Sequence, residues 1–381
     1  MRPPVYFNET PKKCAEGNTG LFFQRFFDRY KPDGSIEDGV KVEWLKQFKG
    51  ISGDSEALES AAQSQYTLVD QLSGKAQVFT TDWHFVTGMG YPHPVENGLN
   101  WHPVYGVPYL SGAAVKGMVR AWVEQWLYSS EEASEKRARL LSWFGSEEKF
   151  PENSGSPQTM QAGDLVFFDA VPVKPVQLNT DIMTPHMGKW YEKGGEISSI
   201  QKQPDCVPAD WHSPTPIPFL AVKQASYLFS VAPRNAKAAQ RVDMDEVMKC
   251  LESALNFLGA GAKTATGYGQ MNHDESATEK ILTSIEEKRV LKEREACQSM
   301  LSPFESELEA LIEGSDNPAI TLFQKLEEGY WSGSDEQVIV AQRIKTIWEA
   351  EKGKWNPDFS GKNKKAVKQS GRCKKVMGYL R

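Results

Sequence analysis

The stretch that decides the fold runs from Met244 to Gly269: MDEVMKCLESALNFL, then GAGAKTATGYG. Val247, Met248, Leu251, Leu255 and Leu258 recur at three- and four-residue spacing, which predicts an amphipathic helix over Met244–Leu258. The second part sets glycines at 259, 261, 267 and 269 among Lys263 and the hydroxyl side chains of Thr264, Thr266 and Tyr268. Glycine reaches left-handed dihedrals without steric cost and carries no side chain to hold another backbone away. Successive N–H groups can then converge on an anion. Such a loop suits phosphate, with Lys263 adding a mobile charge. The competing reading is a helix stop at Gly259 followed by a glycine-rich turn into a short edge strand over Tyr268–Asn272.

A second basic glycine segment lies upstream. Residues 106–120, GVPYLSGAAVKGMVR, lead from a Pro/Gly turn into a helix predicted over Ala113–Tyr128, with Ser111 as its N-cap. Lys116 and Arg120 are four apart and share one face of that helix. The free N–H groups of its first turn would attract phosphate. Residues 90–103, GYPHPVENGLNWHP, are too rich in Pro, Gly, His and Asn for regular structure, and they carry His93, Asn97 and His102 as hydrogen-bonding cargo. Neither segment has the GxxxxGK[ST] spacing of a nucleotide-hydrolysing loop or a GxGxxG after a strand, so nucleotide hydrolysis and NAD chemistry lose support.

Strands are predicted over Gln77–Val86, Asp164–Val173 and Ile217–Val231, the last long enough to hold a bulge. With the two helices and the edge strand they give the order β-α-β-β-α-β. The expected fold class is therefore α+β, with a ferredoxin-like (RRM-like) core in which two helices cover one sheet face and the other face is free to bind. This core occupies 1–273, with insertions at about 129–163, including the PENSGSPQT loop, and at 174–216, which holds His186. Helix formers dominate 274–350, which reads as an acidic helical appendage. Residues 351–381 read as a flexible basic tail.

The net charge of −6 is unevenly spread. Residues 352–381 hold ten Lys or Arg against one acid, whereas 274–351 hold eighteen acids against eight bases. A basic groove is therefore compatible with the acidic average, and the tail could fold back on the acidic segment to mask itself. The five cysteines form no CxxC pair, so neither a disulfide framework nor a zinc ribbon is indicated. No apolar run approaches the ~18 residues of a membrane span, and a signal segment is not evident, so a cytoplasmic protein without membrane partners is expected.

Four ordered segments, GYPHPVENGLNWHPVYGVPYLSGAAVKG at 90–117, GDLVFFDAVPV at 163–173, DIMTPH at 181–186 and GAGAKTATGYG at 259–269, resemble the RAMP superfamily of CRISPR–Cas RNA-binding subunits. Within it the likeness is to the terminal backbone subunits of type III-B (Cmr) effector complexes. That resemblance implies a ferredoxin-like core in a ribonucleoprotein, contact with the crRNA near its 3′ end, neighbouring Cmr subunits as partners, target RNA as a further partner, and no catalytic role. The expected RNA-binding residues are His93, Asn97, His102, Ser111, Lys116, Arg120, His186, Gly259, Gly261, Lys263, Thr264, Thr266 and Tyr268. The family turn usually reads Pro-Gly-Ser-Ser before the lysine; here Leu110-Ser-Gly-Ala-Ala loses hydroxyls, leaving backbone amides and Lys116. The resemblance does not extend past residue 272.

The residues themselves agree on chemistry. Asp82, Asp164, Asp169 and Asp181 have no spacing that gathers them around a metal, and no Ser/His/Asp order suggests an acyl-transfer triad. No cofactor, metal or catalytic residue is expected. The alternative is a metal-free crRNA-processing endoribonuclease that uses His93, His102 or His186 as general acid or base. Trp83, Trp101, Trp190 and Trp211 could stack on bases or serve as core anchors.

Overall fold

The computed structural model describes residues 13, 17–36, 39–127, 133–146, 160–209, 211–300, 302–351 and 353–380. The PENSGSPQT loop at 151–159 lies outside the described residues. The chain divides into two units, Met1–Thr283 and Ser284–Arg381. Among the described residues, no helix is long and apolar enough to cross a membrane.

In the first unit, helices α1 (Thr19–Arg25) and α2 (Val40–Lys46) set Phe23, Phe27, Trp44 and Phe48 into one aromatic cluster, with Phe23 and Phe48 edge to face at 5.2 Å. Strand β1 (Gly50–Ser52) leads to α3 (Ser55–Gln71), whose N-cap Asp54 accepts from the Ala57 N–H at 2.7 Å. After β2 (Lys75–Thr81) comes a small hairpin, β3 (Pro92–His93) and β4 (Glu96–Asn97), within the segment expected to be all loop. Helix α4 (Gly112–Trp122) continues through one wider turn over Val123–Leu127, and α5 (Ala133–Phe144) follows.

The predicted strand over Asp164–Val173 is two pieces, β5 (Leu165–Phe167) and β6 (Val171–Pro172). The 174–216 insertion opens with a long strand, β7 (Val176–Met183), and a short helix α6 (Gly188–Lys193). Ile217–Val231 is likewise not one bulged strand. It is β8 (Ile217–Gln224) and β9 (Ser226–Pro233), which belong to different sheets. The chain changes sheet at Ala225, clamped by Thr81 N–H to Ala225 O at 2.9 Å and Ala225 N–H to Thr81 Oγ1 at 3.1 Å. Strand β9 is wholly buried and β8 is buried from Pro218 to Val222, whereas Lys223 and Gln224 at the end of β8 are exposed and mark the break.

A short helix α7 (Ala236–Ala239), then α8 (Met244–Phe257) and β10 (Met271–His273) complete this region. The larger sheet runs β10-β2-β9-β5, with β6 also on β9, and every pair is antiparallel. The second sheet runs β1-β7-β8 and is also antiparallel. Tyr227, Phe229 and Val231 of β9 point into the main core with Val115 and Val119 of α4 and Val247, Leu251 and Leu255 of α8. Burying each such side chain is worth about 1.5–3 kcal/mol. Leu228 lies on the opposite face with Ala76 and Val78, and Ala62 and Val69 of α3 pack there. Gln65 of α3 also donates to Ser230 Oγ at 3.1 Å. The sheet face expected to be free is therefore covered by α3, whose helix lies upstream of every segment from which the sheet was read.

The boundary after residue 273 falls short of the observed one because α9 (Glu275–Met300) begins against the first unit: Ala277 and Ile281 pack on the α3 face. The second unit contains α10 (Pro303–Glu313), α11 (Pro318–Glu327), α12 (Ser334–Ala350) and α13 (Lys364–Tyr379). Helix α10 starts with a capping box between Ser302 and Glu305. Leu322, Phe323, Val340, Ile344 and Trp348 form its core, and Cys373 and Val376 of α13 are fully buried in it. Residues 351–381 are thus not the flexible tail read from composition. Ser370, Cys373 and Val376 sit three apart on one face, a weakly apolar stripe that charge counting obscures, and they supply a core-facing side.

Candidate nucleic-acid interface

The glycine loop leaves α8 at Gly259, whose φ of 74° lets its N–H return to Ala254 O at 3.0 Å. It is then stitched to the segment that follows β2. Ala262 N–H donates to Val86 O at 2.8 Å, Gly269 N–H to His84 O at 2.7 Å, and Ala260 N–H to Gly269 O at 2.8 Å. This close approach explains two glycines: a Cβ on Gly261 would lie 2.2 Å from Val86 O, and one on Gly269 would lie 1.9 Å from Ala260 O. Several amides expected to cradle an anion are therefore used within the fold. Those of Thr264 and Ala265 open the single 3-10 turn Thr264–Thr266, where the first N–H groups have no intrahelical acceptor.

Lys263 itself is left-handed, φ 60°, a conformation that costs a non-glycine residue about 1–2 kcal/mol. Its Nζ lies 5.6 Å from the Phe219 ring centre and 5.8 Å from that of Tyr268. The Thr266 hydroxyl donates to Lys263 O at 2.8 Å. The Tyr268 hydroxyl donates to Asp181 of β7, and burial together with that carboxylate raises the phenol above its ordinary range. Trp83, 48% exposed, stands edge-on to Tyr268 at 4.9 Å. Lys263 and the exposed Trp83 indole therefore flank Tyr268, which is itself buried in the core.

At the start of α4, Ser111 is the N-cap, accepting from Ala114 N–H at 3.4 Å. The Gly112 N–H, expected to face phosphate, instead donates to Asp169 Oδ1 at 2.6 Å. The chain fills this helix start with its own anion. Gly112 is required because a Cβ there would meet Phe167 O at 2.2 Å. Arg120 Nε donates to Glu124 Oε1 at 2.8 Å.

A cleft of about 560 Å³ brings the two glycine segments together. Thr87–Gly90 form one wall, Ala114, Met118 and Ala121 of α4 a second, and Gly259, Gly261 and Thr264 a third. At 100° per residue, Lys116 and Arg120 lie on the far side of α4 from Ala114 and Met118. The structure thus joins the loops but not the two basic clusters.

The histidines separate. The His93 ring stacks on Phe23 at 4.3 Å, accepts from Val95 N–H through Nδ1 at 3.2 Å, and donates from Nε2 to Phe23 O at 2.8 Å. Burial holds its pKa below the ordinary 6.5. His102 stacks on Tyr105 at 4.5 Å, and its Nδ1 accepts from Val104 and Tyr105 N–H groups at 3.3 Å each. His186 is exposed beside His212 O, 3.4 Å away. Asn97 has a buried Nδ2 with no partner in the hairpin. Trp101 is core, whereas Trp190 and Trp211 are exposed. Among the described residues, no three His, Cys, Asp or Glu side chains are placed to share a metal. Asp169 was missed by sequence reasoning, because nothing in GDLVFFDAVPV marks it as the partner of a helix start 57 residues away.

The RAMP superfamily profile matches residues 78–272, and the chain belongs to that superfamily. It is 29% identical over 254 residues, 55% of this chain and 71% of the relative, to a protein described as CRISPR system Cmr subunit Cmr6 from Pyrococcus furiosus. A chain in a cryo-EM structure of type III-B Cmr-beta bound to cognate target RNA shares 16% identity, with 71% of this chain and 87% of that chain covered and a TM-score of 0.43. The crystal structure of Cmr6 from P. furiosus shares 24% identity over 53% of this chain and 98% of that chain, with a TM-score of 0.30.

Proposed function

We propose that this chain is a subunit of a type III-B CRISPR effector complex, akin to Cmr6, that binds the guide RNA through the cleft between its glycine segments. The observation that carries this reading is the convergence of Thr87–Gly90, α4 and the 259–264 loop on one cleft. The loop backbone comes close to any ligand there, and the same loop carries Lys263 for charge, with the exposed Trp83 packed on its buried Tyr268 for stacking. The strand order β10-β2-β9-β5 with α4 and α8 on one face supports a ferredoxin-like core.

The role is structural rather than catalytic, a capping subunit that contacts the crRNA 3′ region and neighbouring Cmr subunits. His93 supports this, since both its ring nitrogens are engaged by backbone groups. The test is purification of the tagged chain with its native partners, followed by sequencing of any bound RNA. Short RNAs with a common repeat-derived 5′ end and Cmr partners are the expected result. Recovery without RNA or such partners, or cleavage of repeat RNA by the isolated chain, would contradict it.

A further inference from the structure

The second unit is rich in acids, yet its last helix turns a row of cations outward. At 100° per residue, Lys364, Lys365, Lys368, Arg372, Lys374 and Lys375 fall on one half of α13, and Ser370, Cys373 and Val376 fall on the buried half. The five lysines are exposed, and Arg372 is partly so. The unit's carboxylates do not neutralise this face. Glu309 pairs with Arg343, Glu351 with Lys354, Glu349 with Lys345, and Glu307 accepts from Tyr330. Of the outward cations, Lys375 pairs with Glu327 and Arg372 lies 5.9 Å from the Phe323 ring centre. Lys364, Lys365, Lys368 and Lys374 have no carboxylate partner among the described residues. The self-masking expected from charge alone therefore involves Lys354 and Lys375, and on this outward face Lys375 alone.

Two glycines sit within this cationic face. Gly371 and Gly378 are exposed, and a Cβ on either would meet nothing within 4 Å. Core packing does not require them there, although glycine costs an exposed helix about 1 kcal/mol relative to alanine. Gly371, between Lys368 and Lys374, leaves a low floor on which a ligand backbone can approach the helix, and Gly378 continues it beyond Lys375. From Lys364 to Lys375 the row spans about 16 Å at 1.5 Å per residue. That length meets several consecutive phosphates of a polynucleotide strand.

We propose that the outward face of α13 is a sequence-independent docking surface for an RNA sugar-phosphate backbone. It lies outside the RAMP-matched residues and does not depend on the glycine cleft. A continuous line of closely approaching charge fits the glycine floor better than the scattered carboxylates of an acidic protein surface. The full-length chain is titrated with fluorescein-labelled oligouridine RNA between about 50 and about 200 mM salt. The variant carries Lys364→Gln, Lys365→Gln, Lys368→Gln and Lys374→Gln; a matched variant carries arginine at the same positions.

The glutamine variant binds about tenfold or more weakly at low salt, and its log K against log salt slope falls by about 2 to 3, roughly 0.7 per lost phosphate contact. The arginine variant binds like the parent. The slope falls equally in a Lys263→Ala background, which separates this surface from the cleft. Should the quadruple glutamine variant melt early, Lys364→Gln with Lys368→Gln reads the same effect at about half size. A folded glutamine variant with unchanged affinity and slope overturns the proposal and leaves the face to an acidic protein partner. Failure of the parent chain to bind this RNA at low salt also overturns it.

Discussion

Asp169 Oδ1 accepts the Gly112 N–H at 2.6 Å, so the start of α4 is held by a carboxylate from the segment between β5 and β6. An anion-ready helix start is thereby converted into a fastening between helix and sheet. It sits beside the bridge in which Leu110 and Ala170 exchange both backbone hydrogen bonds, at 3.1 and 2.8 Å. Replacing Asp169 with alanine removes a cap worth about 1 kcal/mol. The melting temperature of the first unit should drop by about 2–4 °C. Guide-RNA affinity should change less than with Lys263→Ala, and anisotropy titrations of the two variants check the order.

The glycine loop offers a paired comparison. Gly267 and Gly269 both have φ near 80°, but only Gly269 faces a wall, Ala260 O at 1.9 Å from its virtual Cβ; Gly267 has open space. Gly267→Ala should cost about 1–2 kcal/mol from the left-handed conformation alone. Gly269→Ala must also move backbone and should cost at least about 1 kcal/mol more. Urea midpoints of the two variants give the ranking, and equal costs would remove the close-approach explanation.

His93 makes stability depend on pH in a definite direction. Burial lowers its folded pKa below 6.5, so the folded state holds the ring neutral and the unfolded state takes up the proton first. That contribution is fully present above pH 6.5 and is lost as pH falls toward the depressed folded value. His93→Gln should be less stable than the parent at neutral pH, with the gap narrowing on acidification below 6.5. Chemical denaturation at several pH values measures that gap.

Truncation after Glu351 removes α13 and with it Cys373 and Val376, both fully buried against the core of α11 and α12. Losing a helix that closes a small core should abolish or strongly lower the melting transition of the second unit. The point substitution Val376→Ala should cost about 2 kcal/mol. Calorimetry of the full-length variant resolves this, and an unchanged trace would restore the flexible-tail reading.

These outcomes follow the limits of sequence reading. Helix α8 and the glycine loop were legible because apolar spacing and glycine placement are local signals, and α8 ends at Phe257, one residue from its expected limit. The sheet change at Ala225 was missed although the exposed pair Lys223 and Gln224 interrupts the apolar run just before it, because such a pair equally fits a bulge within one strand. Helix α3 over the sheet, the partner of Gly112 and the Phe23 acceptor of His93 Nε2 all depend on long-range pairing. Lys116 and Arg120 were correctly placed together on one helix face, but which face meets the cleft is set by Val115 and Val119 packing into the core.

Photo-crosslinking of the assembled complex carrying a 4-thiouridine-substituted guide RNA, with peptide mapping by mass spectrometry, tests the central claim most directly. The account predicts adducts within residues 259–268 and 83–90, reduced when Lys263 is replaced by alanine. Robust crosslinks to this chain that fall entirely outside those segments would contradict it.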